Sequence, residues 1–476
     1  MFGWEFPPHI SGGLGTACYG LTKALSSIDD LEILFVVPKL YGDEDKNAAD
    51  LIGANDIYVK QTKIKFEDFI TEDIYDSYKK SHSISTNETD LKKILKEISL
   101  IEVKSLLQPY LSPEEFEKFL KERNLESSNI KIDELGRFFY EKDGKLIEIK
   151  NDFTSTSTIT QDGKFEFTGK YGSNLMQEVI NYAKVAEVIA SQNDFDIIHA
   201  HDWLTYAAGI SAKLASGKPL VVHVHATEFD RGGEENINTN VFALETAGMK
   251  YADKVITVSN LTRNAVINKY GIEASKVITV YNAVEKPDIN SNGYNKNLDE
   301  KVVTFLGRIT YQKGPAYFIN AAKKVLDKTD NVRFVMAGSG DMFRQMIKYA
   351  AKLKITDKFH FTNFLKGDDV DRMFAVSDVY VMPSISEPFG ISPLEAMRSN
   401  VPVIISKQSG VAEILTNAIK VDFWDEDAIA DAIYALIKYE GMSKMFKKES
   451  KTEVDNLKWE NSAKEVYQIY KDILRY

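Results

Sequence analysis

Cysteine is almost absent from this 476-residue chain, which carries only Cys18. An intrachain disulfide and a multi-thiolate zinc cluster are therefore excluded, and a reducing, cytoplasmic setting is expected. Histidine is scarce, with 7 residues, and positive charge is outweighed: 59 Lys and Arg face 70 Asp and Glu, a formal net charge of −11. An acidic chain repels phosphate backbones. Its lysine-rich stretches (Lys92, Lys93, Lys96; Lys444, Lys447, Lys448) are interleaved with acids, so nucleic acid is not an expected partner. Hydrophobic runs such as Ile33–Val37 are short, far below the ~20 residues of a membrane span. The first residues hold Pro7 and Pro8 without a basic start, which does not read as a signal peptide.

What is present is ordinary globular composition, 44% hydrophobic and 27% charged, in a chain long enough for two or three domains. In the second half, short apolar runs alternate with helical stretches. Strands are expected at Val302–Leu306, Arg333–Ala337, His360–Thr362, Val379–Met382 and Val403–Ser406, with helices at Ala316–Leu326 and Met342–Leu353. Nearly all-apolar strands separated by helices mark a parallel sheet covered on both faces, the doubly wound α/β rhythm. The first half repeats it at Leu31–Val37, Phe195–His199, Leu220–His225, Lys254–Val258 and Val277–Tyr281. Between about 42 and 171 the rhythm fails. That polar stretch reads as an insertion, with hairpins expected at Asp143-Gly144 and Asp162-Gly163.

The expected organisation is a first domain over 1–284, a linker over 285–298, a second domain over 299–455, and a C-terminal helix over 456–476. A helix from Thr16 to Ser26 follows a glycine-rich loop, yet only Met1–Trp4 is available as the central strand before it. Either that strand is stunted or the true start lies upstream, and the second is the favoured expectation.

Four segments carry chemistry. Ser11-Gly12-Gly13-Leu14-Gly15 precedes a helix, where backbone amides and the helix dipole can meet an anion; a tight turn explains it equally. Gly307-Arg308-Ile309-Thr310-Tyr311-Gln312-Lys313-Gly314 follows a strand and supplies two cations, a planar fork and a point charge suited to a diphosphate. Glu387 and Glu395 stand eight positions apart across a loop that opens a helix at Pro393. One carboxylate can hold sugar hydroxyls and the other a ribose diol. His199, His201, Asp202, Trp203, His223 and His225 cluster at two strand ends and read as a polar wall rather than a metal site, for want of matching carboxylate spacing. Gly338-Ser339-Gly340-Asp341 is a strand-to-helix turn that either touches a nucleotide or simply turns.

Taken together, Glu5–Gly15, His199–Trp203, His225, Ala252–Ser259, Gly307–Gly314 and the spacing from Glu387 to Glu395 resemble the GT-B retaining glycosyltransferases of the glycogen/starch synthase and sucrose synthase-like group. The resemblance implies two Rossmann-like domains facing each other across a cleft. It also implies that glucose moves from ADP-glucose or UDP-glucose to the non-reducing end of an α-1,4-glucan, without metal or cofactor. By position, it implies that Arg308 and Lys313 bind the diphosphate, Glu387 the sugar and Glu395 the ribose. Gly12, Gly13, Gly390, Ile391 and Leu394 would complete the donor contacts. His225 would touch the donor sugar, and His201 and Asp202 would line the acceptor side. The C-terminal helix would cross back to the first domain. One departure concerns the donor: ADP-glucose-using bacterial members carry a lysine two positions before the Gly-Gly pair, where this chain has Ile10. Alternatives are a lipid-linked or small-sugar acceptor and, further off, a UDP-sugar epimerase. Nothing in the sequence indicates an oligomeric state.

Overall fold

A computed structural model describes residues 1–10, 12–45, 47–59, 163–172, 174–234, 236–285, 296, 298–365 and 367–475, and the backbone of 130–132, 138–142 and 145–148. The chain forms two compact units. The first comprises Met1–Val258, Thr262–Val280 and Ser462–Tyr476; the second comprises Ser259–Leu261 and Tyr281–Asn461.

In the first unit, helix α1 (Gly13–Leu25) is followed by β1 (Leu34–Val37), β2 (Asp50–Gly53) and three short strands, β3 (Ile130–Ile132), β4 (Phe138–Lys142) and β5 (Lys145–Glu148). Then come α2 (Leu175–Gln192), β6 (Ile198–His201), α3 (Trp203–Ser216), β7 (Leu220–Val224), α4 (Glu228–Gly232), α5 (Thr239–Tyr251), β8 (Lys254–Thr257), α6 (Asn260–Tyr270) and β9 (Val277–Thr279). Strands β6 to β9 pair in parallel and in order, and β1 pairs in parallel with β2. The first residues join the two groups. Phe2 bridges Val36 on β1 and Ala200 on β6, both in parallel, with its amide donating to the His199 carbonyl at 2.8 Å. Counting that segment as strand one, the order is 3-2-1-4-5-6-7.

Strand β2 lies inside the stretch that the sequence pattern assigned to an insertion. Its residues Asp50-Leu51-Ile52-Gly53 are too mixed in polarity to announce a sheet strand, and only pairing along β1 makes them one. The antiparallel pair β4–β5 sets Lys142 opposite Lys145, as a turn at 143–144 requires; the turn itself and residue 162 lie outside the described residues. Strand β6 begins and ends later than the sequence suggests, so His201 is a strand residue rather than a flanking one. Helices α2 and α3 cover the sheet with fully buried Tyr182, Trp203 and Tyr206.

The second unit follows with β10 (Lys301–Leu306), α7 (Pro315–Leu326), β11 (Val332–Ala337), α8 (Phe343–Lys352), β12 (Phe359–Thr362), α9 (Asp368–Val376), β13 (Val379–Met382), α10 (Ser392–Arg398), β14 (Val403–Ser406), β15 (Ile419–Val421), α11 (Glu426–Lys438) and α12 (Glu440–Val454). Helix α13 (Trp459–Leu474) ends the described chain. The sheet is parallel, ordered β12-β11-β10-β13-β14-β15, which in local numbering is the 3-2-1-4-5-6 of the Rossmann fold. Five of its six strands sit within one residue of the expected positions, because buried parallel strands are dense apolar runs, as the burial of Val303, Phe334, Val381 and Ile404 shows; the sixth, β15, with Lys420 at its centre, was not expected.

Candidate active site

In a doubly wound sheet the strand order reverses at one point, where two neighbouring strands send their crossovers to opposite sides. The loops at their carboxyl ends part there and leave a crevice. In the second unit that point lies between β10 and β13, and the two loops that leave it are Gly307–Gly314 and Pro383–Ile391.

Backbone and side-chain bonds stitch these loops together. The Ile385 amide donates to the Gln312 carbonyl at 2.9 Å, and Gln312 Nε2 donates to the Ser386 carbonyl at 3.0 Å. Arg308 donates to Gln312 Oε1 at 3.1 Å. Lys313 forms an ion pair with the Glu387 carboxylate, which also accepts from the Ser384 hydroxyl at 3.3 Å. Glu387 is only 6% exposed. It is fixed through its backbone as well, its amide donating to the Gln408 carbonyl at 3.0 Å and its carbonyl accepting from Gly410 at 2.8 Å. The crowding has a glycine requirement. Gly314 has φ +63° and leads into Pro315, and a Cβ there would lie 2.1 Å from the Pro383 carbonyl oxygen. Gly338 has φ +139°, and a Cβ on it would lie 1.9 Å from the Gly307 oxygen. The Gly338–Asp341 turn therefore serves to back the Arg308 loop: the Ile309 amide donates to the Ser339 carbonyl at 2.8 Å. Burial raises the Asp341 carboxyl pKa while Arg308 opposes the shift.

The structure thus brings Arg308, Lys313 and Glu387 together on two stitched loops. Glu395 lies on α10, where burial raises its pKa and Arg398 opposes the rise. That helix is only 7 residues long, too short for much of a dipole. The Leu394 side chain is in the core and its amide donates to the Ile391 carbonyl at 2.9 Å; Gly390, with φ +99°, turns the loop next to Glu387. Tyr380 was not evident in the sequence, being one apolar-strand residue among several. Its hydroxyl donates to the Leu306 carbonyl at 3.2 Å and lies 2.8 Å from Ser392 Oγ. Burial raises its pKa, and Glu387 and Glu395 add to that rise.

The first unit has its own reversal, between the Phe2 segment and β6. The loop after the first segment leads to Gly12 and Gly13 at the start of the 13-residue helix α1, which has no side-chain cap and no acidic residue in its first turn. A Cβ at either glycine would meet nothing within 4 Å among the described residues. Ile10 packs against Gly15 instead, its Cγ2 lying 2.5 Å from where a Cβ would stand.

At the β6 and β7 ends stand four histidines on one face, because residues i and i+2 of a strand point the same way and His201 pairs with His223 in register. Ring centroids are 4.2 Å apart for His199 and His201 and 4.4 Å for His223 and His225. His201 Nδ1 lies 3.1 Å from His225 Nε2, and His199 Nδ1 is bonded to the Tyr470 hydroxyl. Burial holds all four in the neutral form, with the His225 pKa lowered to about 3.

Asp202 follows His201 with φ +64°, a conformation that costs a non-glycine residue on the order of 1–3 kcal/mol. Burial pushes its pKa up to about 6, opposed by Arg231, whose guanidinium lies 3.9 Å away. That arginine organises a buried group which the sequence reading missed. Arg231 bonds Glu228 at 3.1 Å and pairs with Glu245, which accepts from the Tyr270 hydroxyl. Burial pushes Glu245 up to about 8, against the pull of Arg231. The Thr227–Asp230 capping box that starts α4 was a readable signal. Glu245, on a different helix, offered none.

Two Rossmann-type sheets joined in one chain define the GT-B class of glycosyltransferases. The comparisons with known proteins give the family. Residues 287–453 match the family described as glycosyl transferases group 1, and residues 167–286 match glycosyltransferase family 4. An uncharacterized glycosyltransferase of Methanocaldococcus jannaschii is 32% identical over 300 residues, 60% of this chain and 77% of the relative. The chain belongs to the group 1 glycosyltransferases. A 2-deoxystreptamine N-acetyl-D-glucosaminyltransferase of Niallia circulans is 25% identical over 55% of this chain and 72% of its own length. Among solved structures, HepE of Anabaena, in complex with UDP and glucose, aligns with TM-score 0.54 and 18% identity over 61% of this chain and 81% of that one. TarM aligns with TM-score 0.62 and 15% identity over 97% and 96%. These structural likenesses speak for the fold.

Proposed function

We propose that this glycosyltransferase moves glucose from ADP-glucose or UDP-glucose to the non-reducing end of an α-1,4-glucan, with retention of the anomeric configuration. The observation that carries the donor half of this reading is the Arg308, Lys313 and Glu387 group at the second unit's strand reversal. A diphosphate would draw Lys313 away from Glu387 and take Arg308 as a planar donor, so leaving-group charge develops against two placed cations. Glu387, released from the lysine, would accept from the sugar hydroxyls, and Glu395 from the ribose. Gly12 and Gly13 would offer amides to phosphate oxygens, with Gly390, Ile391 and Leu394 shaping the donor pocket. His225, uncharged, would touch the donor sugar; Asp202 and His201 would lie on the acceptor side. The acceptor hydroxyl attacks the face from which the diphosphate departs, and a departing phosphate oxygen takes its proton. No metal or cofactor enters this scheme.

The glucan acceptor is supported by a relative named glycogen synthase from Mycobacterium tuberculosis, 24% identical over 47% of this chain and 54% of its own length. A second reading, with a small or lipid-linked acceptor, is favoured by relatives named D-inositol 3-phosphate glycosyltransferase and UDP-Gal:alpha-D-GlcNAc-diphosphoundecaprenol alpha-1,3-galactosyltransferase. None of the helices among the described residues is long and apolar enough to cross a membrane.

The experiment is nucleoside diphosphate release from ADP-glucose and from UDP-glucose, each with and without glycogen. Release that depends on glycogen supports the first reading and names the donor. Release that glycogen leaves unchanged moves the proposal to the second acceptor class. Absence of release from both donors overturns the glucosyl assignment.

A further inference from the structure

We propose that Cys18, His201 and His225 form a binding site for a thiophilic divalent cation of the zinc type, built wholly within the first unit. The three side chains come from α1, from β6 and from the residue after β7, and their ligand atoms lie within 4.8 Å of one another. His201 Nδ1 and His225 Nε2 are 3.1 Å apart, and Cys18 Sγ is 3.9 Å from the same His225 nitrogen. A tetrahedral zinc with ordinary bonds of ~2.0–2.1 Å to nitrogen and ~2.3 Å to sulfur has nitrogen–nitrogen edges of roughly 3.3 Å and sulfur–nitrogen edges of roughly 3.6 Å. These two spacings differ from those edges by only a few tenths of an ångström, and the third, between Cys18 and His201, is at most 4.8 Å, a gap that side-chain rotation can close.

The surroundings favour a cation. The carboxylates of Glu5 and Asp202 both act on Cys18, and a divalent ion reverses the penalty that burial and those charges place on a thiolate. The histidines are already neutral, the form a metal binds. Coordination through His201 Nδ1 leaves that ring's proton on Nε2, an atom with no hydrogen-bond partner among the described residues; His225 carries its proton on Nδ1. One proton is therefore released, from the Cys18 thiol, and the fourth position is left to water. His225 is half-buried and gives the approach that Cys18 and His201, at 2% and 0% exposure, do not. The neighbouring set of His199, His201 and His223 has no such opening, and His199 Nδ1 is held by Tyr470.

Occupation would withdraw His225 Nε2 from any other use. That consequence rests on the substrate contact proposed for His225 above; the binding itself does not. The cation is thus inhibitory, unlike a catalytic metal.

Cobalt(II) is the probe, added to the untagged full chain under a phosphine reductant. Because Cys18 is the sole cysteine, a thiolate-to-cobalt charge-transfer band has one origin. The expected result is one cobalt bound per chain with that band, its loss in Cys18→Ser and Cys18→Ala, and displacement by zinc. Donor turnover by the wild type should fall at least tenfold under saturating zinc, while Cys18→Ser keeps its turnover and loses the sensitivity. A cobalt spectrum lacking the charge-transfer band, or one unchanged by either Cys18 substitution, overturns the site. The spectrum reads independently of turnover, so failure of the transferase reading would leave this result standing.

Discussion

The two units share a strand order and a reversal point but furnish it oppositely. At the second unit's reversal an ion pair joins Lys313, at 19% side-chain exposure, to the buried Glu387, at 8%. At the first unit's reversal four stacked histidines are held uncharged by burial, and Arg231, with 5% side-chain exposure, serves Asp202, Glu228 and Glu245. One scaffold therefore yields a site built on an ion pair and a site whose histidine protons are governed by desolvation. The difference lies in which side chains each set of strand ends carries, since the fold is common to both.

The largest expected effect breaks the buried side of that contrast. Arg231→Met leaves Glu228 and Glu245 buried without their cation and should cost about 3–5 kcal/mol of stability. Urea unfolding checks it, and a loss no greater than that of Lys313→Ala would erase the distinction between the units. Next, Lys313→Ala and Glu387→Gln should each lower donor turnover about 10²–10³-fold, the scale of losing one preorganised electrostatic partner, with near-native circular dichroism. Full turnover in either variant would count against the second unit's site. Third, Gly338→Ala forces a Cβ against the Gly307 carbonyl at positive φ and should cost on the order of 1–3 kcal/mol. A thermal melt and a raised KM for the donor, through displacement of the Arg308 loop, would register it.

The smallest effect sharpens the contrast through pH. The four histidines have folded pKa values below their ordinary 6.5, with His225 at about 3. Below 6.5 the folded state thus binds fewer protons than the unfolded, and stability falls as pH falls. Glu245, raised from 4.5 to about 8, acts with the opposite sign, and its contribution is lost as pH rises toward 8. Asp202, raised from 3.8 to about 6, partly offsets the histidines below that pH. Four groups outweigh two on the acid side, so stability should peak between about pH 6 and 7, as melts at pH 5, 6.5 and 8 would show. His223→Phe, at a residue whose ring nitrogens both lack a partner among the described residues, should flatten the acid limb.

How much of this the sequence held differs by region. Five of the second unit's six strands, all but β15, could be read to within a residue, because buried parallel strands are continuous apolar runs bounded by polar loops. Strand β2 could not, since Asp50–Gly53 has no such run and borrows its conformation from β1. Of the site, Arg308, Lys313 and Glu387 were legible as polar residues placed just after predicted strands. Tyr380, Arg231 and Glu245 were not: each looks ordinary along the chain and gains its role only from neighbours far away in sequence. Cys18 was read solely as an absence of disulfides, because its proximity to His225 spans 207 positions.

By itself, then, the sequence determined the doubly wound class and the loops that carry chemistry, because periodicity and the residues that follow a strand are local properties. The tertiary structure alone decided that Lys313 pairs with Glu387, that four histidines share one face, and that one arginine gathers three carboxylates. Burial and charge pairing act across space, and the order of residues along a chain does not encode which of them will be left without water.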